Sequence, residues 1–303
     1  MTAEPIPRAS SAVIRRAVPT WTYFTASAVF HYLGPSFAVL LFARVGALGV
    51  AGLRIWSAAI VFILWRRPWR ILTRLDAGGR RLVLAWGCVL AVMNTVFYLA
   101  IARLQLGTVA AIEFLPVVAL AALGARSARN ATALAAAVGG VWLVTEVRLA
   151  DEPAGFVFAF ANAALFASYI IVAHRASRYL PNGVDGLAAA MVIACVCVTP
   201  LSALQAAPAF ADPVALAAGV GVGVSSSVIP YVCDQLAMAR MARSTYALLV
   251  SLLPATATVI GIAVLHQVPT LPELVGVALV MAAVALHREV GEPAHTASQT
   301  TDS

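Results

Sequence analysis

The chain has 303 residues, of which 62% are hydrophobic and 11% are charged. Soluble globular domains carry roughly 25% charged residues, and disordered chains combine low hydrophobicity with high charge, so the composition excludes both classes. All 20 basic residues are arginine, which excludes lysine-dependent sites such as a P-loop or a lysine Schiff base.

Ten apolar stretches follow one another, each long enough to cross a bilayer core as a helix, which takes about 20 residues. They lie at 20–42, 47–65, 82–101, 106–124, 130–147, 154–173, 184–205, 213–238, 244–265 and 272–287. The first stretch leads directly into further spans, so we interpret it as a transmembrane helix and not as a cleaved signal peptide. The sequence therefore predicts an all-α polytopic membrane protein with ten transmembrane helices.

The arginines predict how these helices are oriented. With a cytoplasmic N-terminus and alternating spans, 16 of the 20 arginines lie on the cytoplasmic side, and Arg44, Arg103 and Arg148 lie on outer loops. The positive-inside rule then places both termini in the cytoplasm. The net charge of +7 therefore marks topology, because arginines scattered over short loops form no contiguous face for nucleic acid.

The two halves of the chain resemble each other. Residues 102–108 read Ala-Arg, four residues, Thr, and this pattern reappears at 239–245, with Pro116 and Pro254 following. Each half then holds five helices, so the second half enters the membrane from the opposite side. Such inverted repeats are typical of secondary transporters with a site near the midplane. Chance similarity between alanine-rich helices is the alternative.

This repeat predicts four parts of the chain. They are a cytoplasmic segment 1–19, a first five-helix repeat 20–147, a second five-helix repeat 154–288 and a disordered cytoplasmic tail 289–303.

Arg54 and Glu113 are ionisable residues inside predicted spans, where charge is costly and usually faces a cavity or a partner. Arg54 and Glu113 each lie about seven residues in from the outer side, roughly 10 Å below the same surface at 1.5 Å per residue. One hypothesis is a buried ion pair that only fixes helix packing. The other is a cavity wall that handles a zwitterionic substrate or a proton.

The eighth span holds a second candidate region. Pro230 should kink this helix, with the hydroxyls of 225–227 before the kink and Tyr231 and Asp234 after it. Freed carbonyls, hydroxyls and a carboxylate suit a polar cavity wall. An aspartate at the membrane interface is the alternative for Asp234.

Other spans carry polar residues and helix breakers. His31 can exchange a proton near neutral pH, although a lone histidine in a helix is more often only hydrogen-bonded. Asn94 and Asn162 either face a cavity or bond neighbouring helices. Helix interruptions that line the cavity are predicted at Gly34, Pro35, Pro116, Pro230 and Pro254.

No enzyme motif, metal-ligand motif or cofactor motif is present, so no catalytic residue, metal or cofactor is expected. Without a P-loop, uphill transport would need an ion gradient or a partner protein. A membrane-embedded enzyme or a scaffold is the least expected class, because only Arg54 and Glu113 share one membrane depth.

Three stretches, 41–70, 93–114 and 226–241, carry a family resemblance, in motifs such as LFARVGALGV, MNTVFYLAIA and SSVIPYVCDQLAMARM. The chain resembles the EamA-like branch of the drug/metabolite transporter superfamily, and within it the bacterial threonine/homoserine exporters. The matched family positions are Arg54, Asn94, Glu113, Pro230, Tyr231 and Asp234. One departure is His266-Gln267, where the family usually has Gly-Glu.

The resemblance implies proton-coupled export of small metabolites, with threonine and homoserine as leading candidates, through a central cavity between two inverted repeats. It implies a multi-pass protein of the bacterial inner membrane whose partners are protons, a small-molecule substrate and the lipid bilayer. Export of drugs or other metabolites is the alternative within the same superfamily.

Overall fold

The computed structural model describes residues 20–124, 127–146, 149–180, 183–230, 233 and 252–286, and its regular elements within these ranges are all helical. The helices of the first half are α1 (Thr20–Val45), α2 (Ala47–Arg66), α3 (Trp69–Leu72), α4 (Ala77–Ile101), α5 (Leu106–Gly124) and α6 (Ala128–Glu146). Those of the second half are α7 (Pro153–Tyr179), α8 (Gly183–Ala206), α9 (Pro213–Gly223), α10 (Leu253–Leu265) and α11 (Leu271–Leu286). A 3₁₀ turn, Ala207–Ala211, follows α8, and a π turn, Val224–Val228, continues α9.

Length and apolar composition separate these helices into two groups. Within the described ranges, α1, α2, α4, α7 and α8 are long and apolar enough to cross a membrane, and shorter apolar helices lie in α5, α9, α10 and α11. Each helix of more than ten residues falls on a predicted span. The count of ten transmembrane helices stays a prediction, because spans 213–238 and 244–265 lie partly outside the described residues.

The start of α4 differs from the prediction. The helix begins at Ala77 and not near residue 82, because Asp76 caps it by accepting a hydrogen bond from the Gly79 amide at 2.9 Å. Arg80 and Arg81 made this segment look like a loop in the sequence. They instead form the polar first turn of a helix that extends beyond its apolar part.

Two ion pairs lie near opposite ends of the helices α2 and α8. At one end, Arg66 of α2 lies 2.6 Å from the Asp185 carboxylate at the start of α8. At the other end, Arg44 of α1 lies 3.1 Å from Asp212, which caps α9. The side chains of these pairs are half-buried or exposed, so each pair contributes about 0–1 kcal/mol to stability. The pairs therefore add little to the stability of the helix ends where they lie.

Small residues allow α6 and α11 to touch. A Cβ added to Gly140 would lie 2.6 Å from the carbonyl oxygen of Gly276, and a Cβ added to Gly276 would crowd the carbonyl oxygen of Gly140 in the same way. Helices in lipid associate through close backbone approach at small residues. Moving apolar side chains out of lipid gives no hydrophobic gain in free energy, because lipid tails are equally apolar. The contact is reciprocal, as a local two-fold axis would require.

A hydrogen bond between the end of α7 and the start of α4 is expected to make the stability of the fold depend on pH. Tyr179, at the end of α7, donates to the Asp76 carboxylate at 2.6 Å, and this bond, with the Gly79 amide, lowers the pKa of Asp76. A lowered pKa in the folded state gives stability that is present above the ordinary pKa of about 3.9 and is lost as pH falls through the folded value. We therefore expect Asp76→Asn, which keeps the cap but cannot titrate, to flatten the fall in melting temperature below about pH 4.

Thermal unfolding of detergent-purified protein between pH 3 and pH 7 measures this effect. Parallel curves for the wild type and Asp76→Asn would contradict it.

Candidate functional site

Arg54, the eighth residue of α2, is buried and held by polar atoms of the π turn. Its Nε donates to Ser227 Oγ at 2.9 Å and its Nη2 to the Ser226 carbonyl oxygen at 3.1 Å. Its guanidinium lies over the Tyr98 ring, 5.4 Å from the centroid. A charge at this depth is tolerated only with such partners, and these partners fix the plane of the guanidinium.

The Ser226 carbonyl is available because of Pro230. In an α-helix, the amide of residue 230 would bond to the carbonyl of residue 226, but proline has no N–H to donate. The π turn begins at Val224, where the Ile229 amide bonds to the Val224 carbonyl, one residue farther back than in an α-helix. The predicted distortion around Pro230 is therefore present, and it supplies an acceptor for Arg54.

Glu113, the eighth residue of α5, is also buried. The amide nitrogen of Asn162, on α7, donates to Glu113 Oε1 at 3.2 Å, and the Asn162 side chain has no exposed surface. Asn162 therefore binds a neighbouring helix, which was one of the two roles considered for it.

Arg54 and Glu113 do not form the direct ion pair that one hypothesis expected. Both residues are described, and no nitrogen of Arg54 lies within 4.0 Å of a Glu113 oxygen; the guanidinium is bonded to serine atoms and the carboxylate to Asn162. The two groups still lie near enough for their charges to interact. Opposite charges at one depth that are close but unpaired suit a ligand that carries both signs.

Three buried oxygens of this region lack hydrogen bonds. They are Tyr32 Oη on α1, Tyr98 Oη on α4 and Asn162 Oδ1 on α7. The Tyr98 hydroxyl lies beside Arg54 and Ser226 without a hydrogen bond of good geometry to either. Because nearly all buried polar atoms in proteins have partners, such a group of unsatisfied atoms indicates a place for water or a ligand.

The remaining described candidates lie at different distances from this centre. His31 on α1 is partly exposed and close enough to Arg54 for electrostatic interaction. Gly34 touches the π turn, since a Cβ there would collide with Ser226 and lie 3.0 Å from Ser225 Oγ. Asn94 is buried and donates to the Leu90 carbonyl of its own helix at 2.8 Å, so this bond does not join it to the centre.

The predicted helix interruptions are wrong at three of five positions. Helix α1 runs unbroken past Gly34 and Pro35, and α5 runs unbroken past Pro116. In lipid the remaining backbone hydrogen bonds have no competing solvent, so one missing N–H does not end the helix. Pro254 instead lies in the first turn of α10, where its missing N–H costs nothing.

Tyr231 and Asp234 lie outside the described residues, and their place on the pathway stays a prediction.

His266 and Gln267, where the sequence departs from the usual Gly-Glu, lie at the end of α10 and contact the start of α5. His266 ends α10 with φ 52°, a left-handed conformation that favours glycine, the residue usual in the family at this position. Gln267 Oε1 accepts the Leu106 amide at the start of α5, 3.1 Å away, so an uncharged amide here fills a capping role. A small pocket beside Gln267 has among its lining residues Gln105, Gly107, Thr108, Thr258 and Glu273. Neither Arg54 nor Glu113 lines this pocket.

Comparison with known proteins confirms the family resemblance. A model of the EamA-like transporter family matches residues 153–288. The threonine/homoserine exporter RhtA of Escherichia coli (strain K12) is 31% identical over 254 residues, covering 82% of this chain and 84% of that exporter. RhtA of Salmonella typhimurium (strain LT2) is 30% identical over 253 residues with the same coverage.

The fold has a counterpart among solved structures. One crystal structure of a protein 20% identical in sequence matches with a TM-score of 0.57, covering 88% of this chain and 96% of that chain. At this identity the match shows a shared fold. With a multi-pass helical architecture and exporter relatives matched over most of its length, this chain belongs to the EamA-like transporter family.

Proposed function

We propose that this chain is a secondary exporter of small amino acids, with threonine and homoserine as leading substrates, driven by proton antiport. Its relatives in Escherichia coli and Salmonella typhimurium are threonine/homoserine exporters, which supports the substrate class. The observation that carries the proposal is the pair Arg54 and Glu113, which are buried, near each other and not bonded to each other.

A zwitterion needs a cation for its carboxylate and an anion for its ammonium group. Arg54 has five N–H donors, and its bonds to Ser226 and Ser227 use one each from Nε and Nη2. The guanidinium therefore keeps donor capacity for a substrate carboxylate. Glu113 accepts one bond from Asn162 and keeps its second oxygen for an ammonium group.

Proton coupling follows from the shared use of Glu113. A proton and a substrate ammonium both neutralise the same carboxylate, so binding of one opposes binding of the other. Export then alternates between a protonated and a substrate-loaded site. His31, Asn94, Tyr231 and Asp234 are the proposed further groups of the proton and substrate pathway, with Asp234 as a second proton carrier.

Two inverted five-helix repeats, 20–147 and 154–288, are the proposed architecture. The reciprocal contact of Gly140 and Gly276 supports it, because these glycines are separated by nearly the same sequence distance as the motifs at 102–108 and 239–245. The pairs α2–α8 and α6–α11, which the repeat makes symmetry-related, pack against each other. Rocking of one repeat against the other would expose the site to each side in turn.

A bacterial inner-membrane location with cytoplasmic termini is proposed for this architecture. The ion pair of Arg66 and Asp185 lies at the arginine-rich end of α2, and the ion pair of Arg44 and Asp212 lies at the opposite end. This alternation supports the orientation predicted by the positive-inside rule.

An efflux assay over a panel of amino acids tests the proposal. Cells that express the chain are expected to tolerate toxic concentrations of threonine or homoserine and to hold a smaller internal pool of them. Cells that express Arg54→Ala to the same membrane level serve as the matched control. If no amino acid of the panel leaves faster than in these control cells, the proposed substrate class is wrong.

Export of amphiphilic drugs is the second candidate, and an aromatic series favours it. Ring contacts of 6.1 Å, 6.2 Å and 6.4 Å link Phe114, Phe166, Tyr169 and Trp86 in turn, starting beside Glu113. Such a series could line a path for flat cations. Adding cationic dyes to the same panel decides between the candidates, because dye efflux without amino-acid efflux would support the drug exporter.

A further inference from the structure

The surroundings of Glu113 contain more acceptor atoms than the protein itself uses. A carboxylate only accepts hydrogen bonds, so Asn162 bonds Glu113 through its amide nitrogen, and Oδ1 takes no part in that bond. That oxygen is buried and without a hydrogen bond, and the whole Asn162 side chain is 0% exposed. Asn162 therefore presents a fixed, unsatisfied acceptor next to the carboxylate.

Tyr32, on α1, has a second buried oxygen without a hydrogen bond. Its side chain is 0% exposed and its hydroxyl has no hydrogen bond. It lies close enough to Glu113 for the two groups to interact electrostatically. Helices α1, α5 and α7 thus each carry one buried acceptor group, and Glu113 interacts with both of the others, with Asn162 through a hydrogen bond and with Tyr32 electrostatically.

We propose that Glu113, Asn162 and Tyr32 form a subsite for a primary ammonium group, with one acceptor for each of its three N–H bonds. This inference rests on the proposed function and deepens it, because it assigns the substrate's amino group to named atoms. A primary ammonium is a small group with three donors, so it satisfies all three acceptors. A tertiary ammonium has one donor and leaves two acceptors buried and unpaired, which disfavours its binding.

Competition against threonine exchange in proteoliposomes tests this on the wild-type protein. N-methylthreonine and N,N-dimethylthreonine are expected to compete progressively more weakly than threonine, with about tenfold lost for each hydrogen bond removed. Equal competition by all three would overturn the subsite, because its acceptors would then have no role in binding.

Two variants locate the effect. Tyr32→Phe and Asn162→Leu are each expected to raise the half-saturating concentration of threonine about tenfold and to reduce its advantage over N,N-dimethylthreonine. Competition by 3-hydroxybutyrate, which has the carboxylate and hydroxyl but no amine, should stay unchanged. Tyr179→Phe removes a hydroxyl outside the site and is the matched control.

Equal weakening of threonine and 3-hydroxybutyrate would overturn the proposal, since it would show general damage to the site. If Asn162→Leu does not fold, Tyr32→Phe carries the test, because it removes one oxygen atom and keeps the ring.

Threoninol, a primary amine without a carboxylate, separates this inference from the proposed function. If the wild type exchanges threoninol and rejects threonine, amino-acid export is wrong and the ammonium subsite stands. If it exchanges threonine and does not discriminate against N-methylation, the export stands and the subsite is wrong.

Discussion

Arg54→Ala is expected to abolish amino-acid export while the protein still inserts into the membrane. Loss of a buried charge that holds a ligand carboxylate costs about 2–5 kcal/mol, which corresponds to roughly 30- to 4,000-fold in affinity. Uptake of labelled threonine into proteoliposomes measures this loss. Insertion is checked by the amount of protein recovered in detergent as a single species.

The two hydrogen bonds of Arg54 give this prediction a second part. Arg54 bonds Ser227 Oγ through Nε and the Ser226 carbonyl through Nη2. Lysine keeps the positive charge but has no planar group that could make both bonds. Arg54→Lys is therefore expected to retain weak transport. In both variants the Ser226 carbonyl, which Pro230 cannot satisfy, loses its partner, so the π turn should become less stable.

Arg44→Ala is the matched control for Arg54. Arg44 bonds the Asp212 carboxylate, but its own side chain is 59% exposed, so this ion pair contributes about 0–1 kcal/mol. Transport should be unaffected. Equal losses for both arginine variants would contradict a specific role of Arg54, and unchanged transport in Arg54→Ala would remove it from the site.

The positions of Arg54 and Glu113 along their helices could be predicted from the sequence, because they depend only on where each helix starts. Each proved to be the eighth residue of its helix, and hydropathy sets those starts to within a few residues. The contribution of Pro230 was also predictable, since a proline frees the carbonyl four residues before it. Both inferences are local along one helix.

The partners of these residues could not be predicted from the sequence. The polar residues of α1 and α5 do not gather on one face of either helix, so no periodic pattern shows which side of α1 carries Tyr32 towards Glu113. Tyr32 was not a candidate in the sequence analysis. A tyrosine hydroxyl next to His31 inside a predicted span was nevertheless a usable signal. The hypothesis of a direct ion pair between Arg54 and Glu113 was wrong for the same reason. Equal predicted depth does not show which helix faces turn towards each other.

Glu113→Gln is expected to abolish the response of transport to a pH gradient while the protein still inserts. Glutamine has nearly the shape of glutamate, and its Oε1 can still accept the hydrogen bond from Asn162. It cannot exchange a proton, so the site would lose the group for which proton and substrate compete. Threonine uptake driven by an imposed pH gradient in proteoliposomes measures the effect.

Exchange of threonine without a gradient shows whether the site itself survives. For Glu113→Gln this exchange should be slower, since the ammonium group loses its anionic partner, and it should no longer vary with pH. Glu273→Gln is the matched control, because Glu273 is also buried and its carboxylate accepts hydrogen bonds from Thr270 at the start of α11. Glutamine can accept those bonds, so gradient-driven uptake should persist. Gradient-driven uptake that persists in Glu113→Gln as well would assign Glu113 to helix packing and move proton coupling to another group, for which Asp234 is the next candidate.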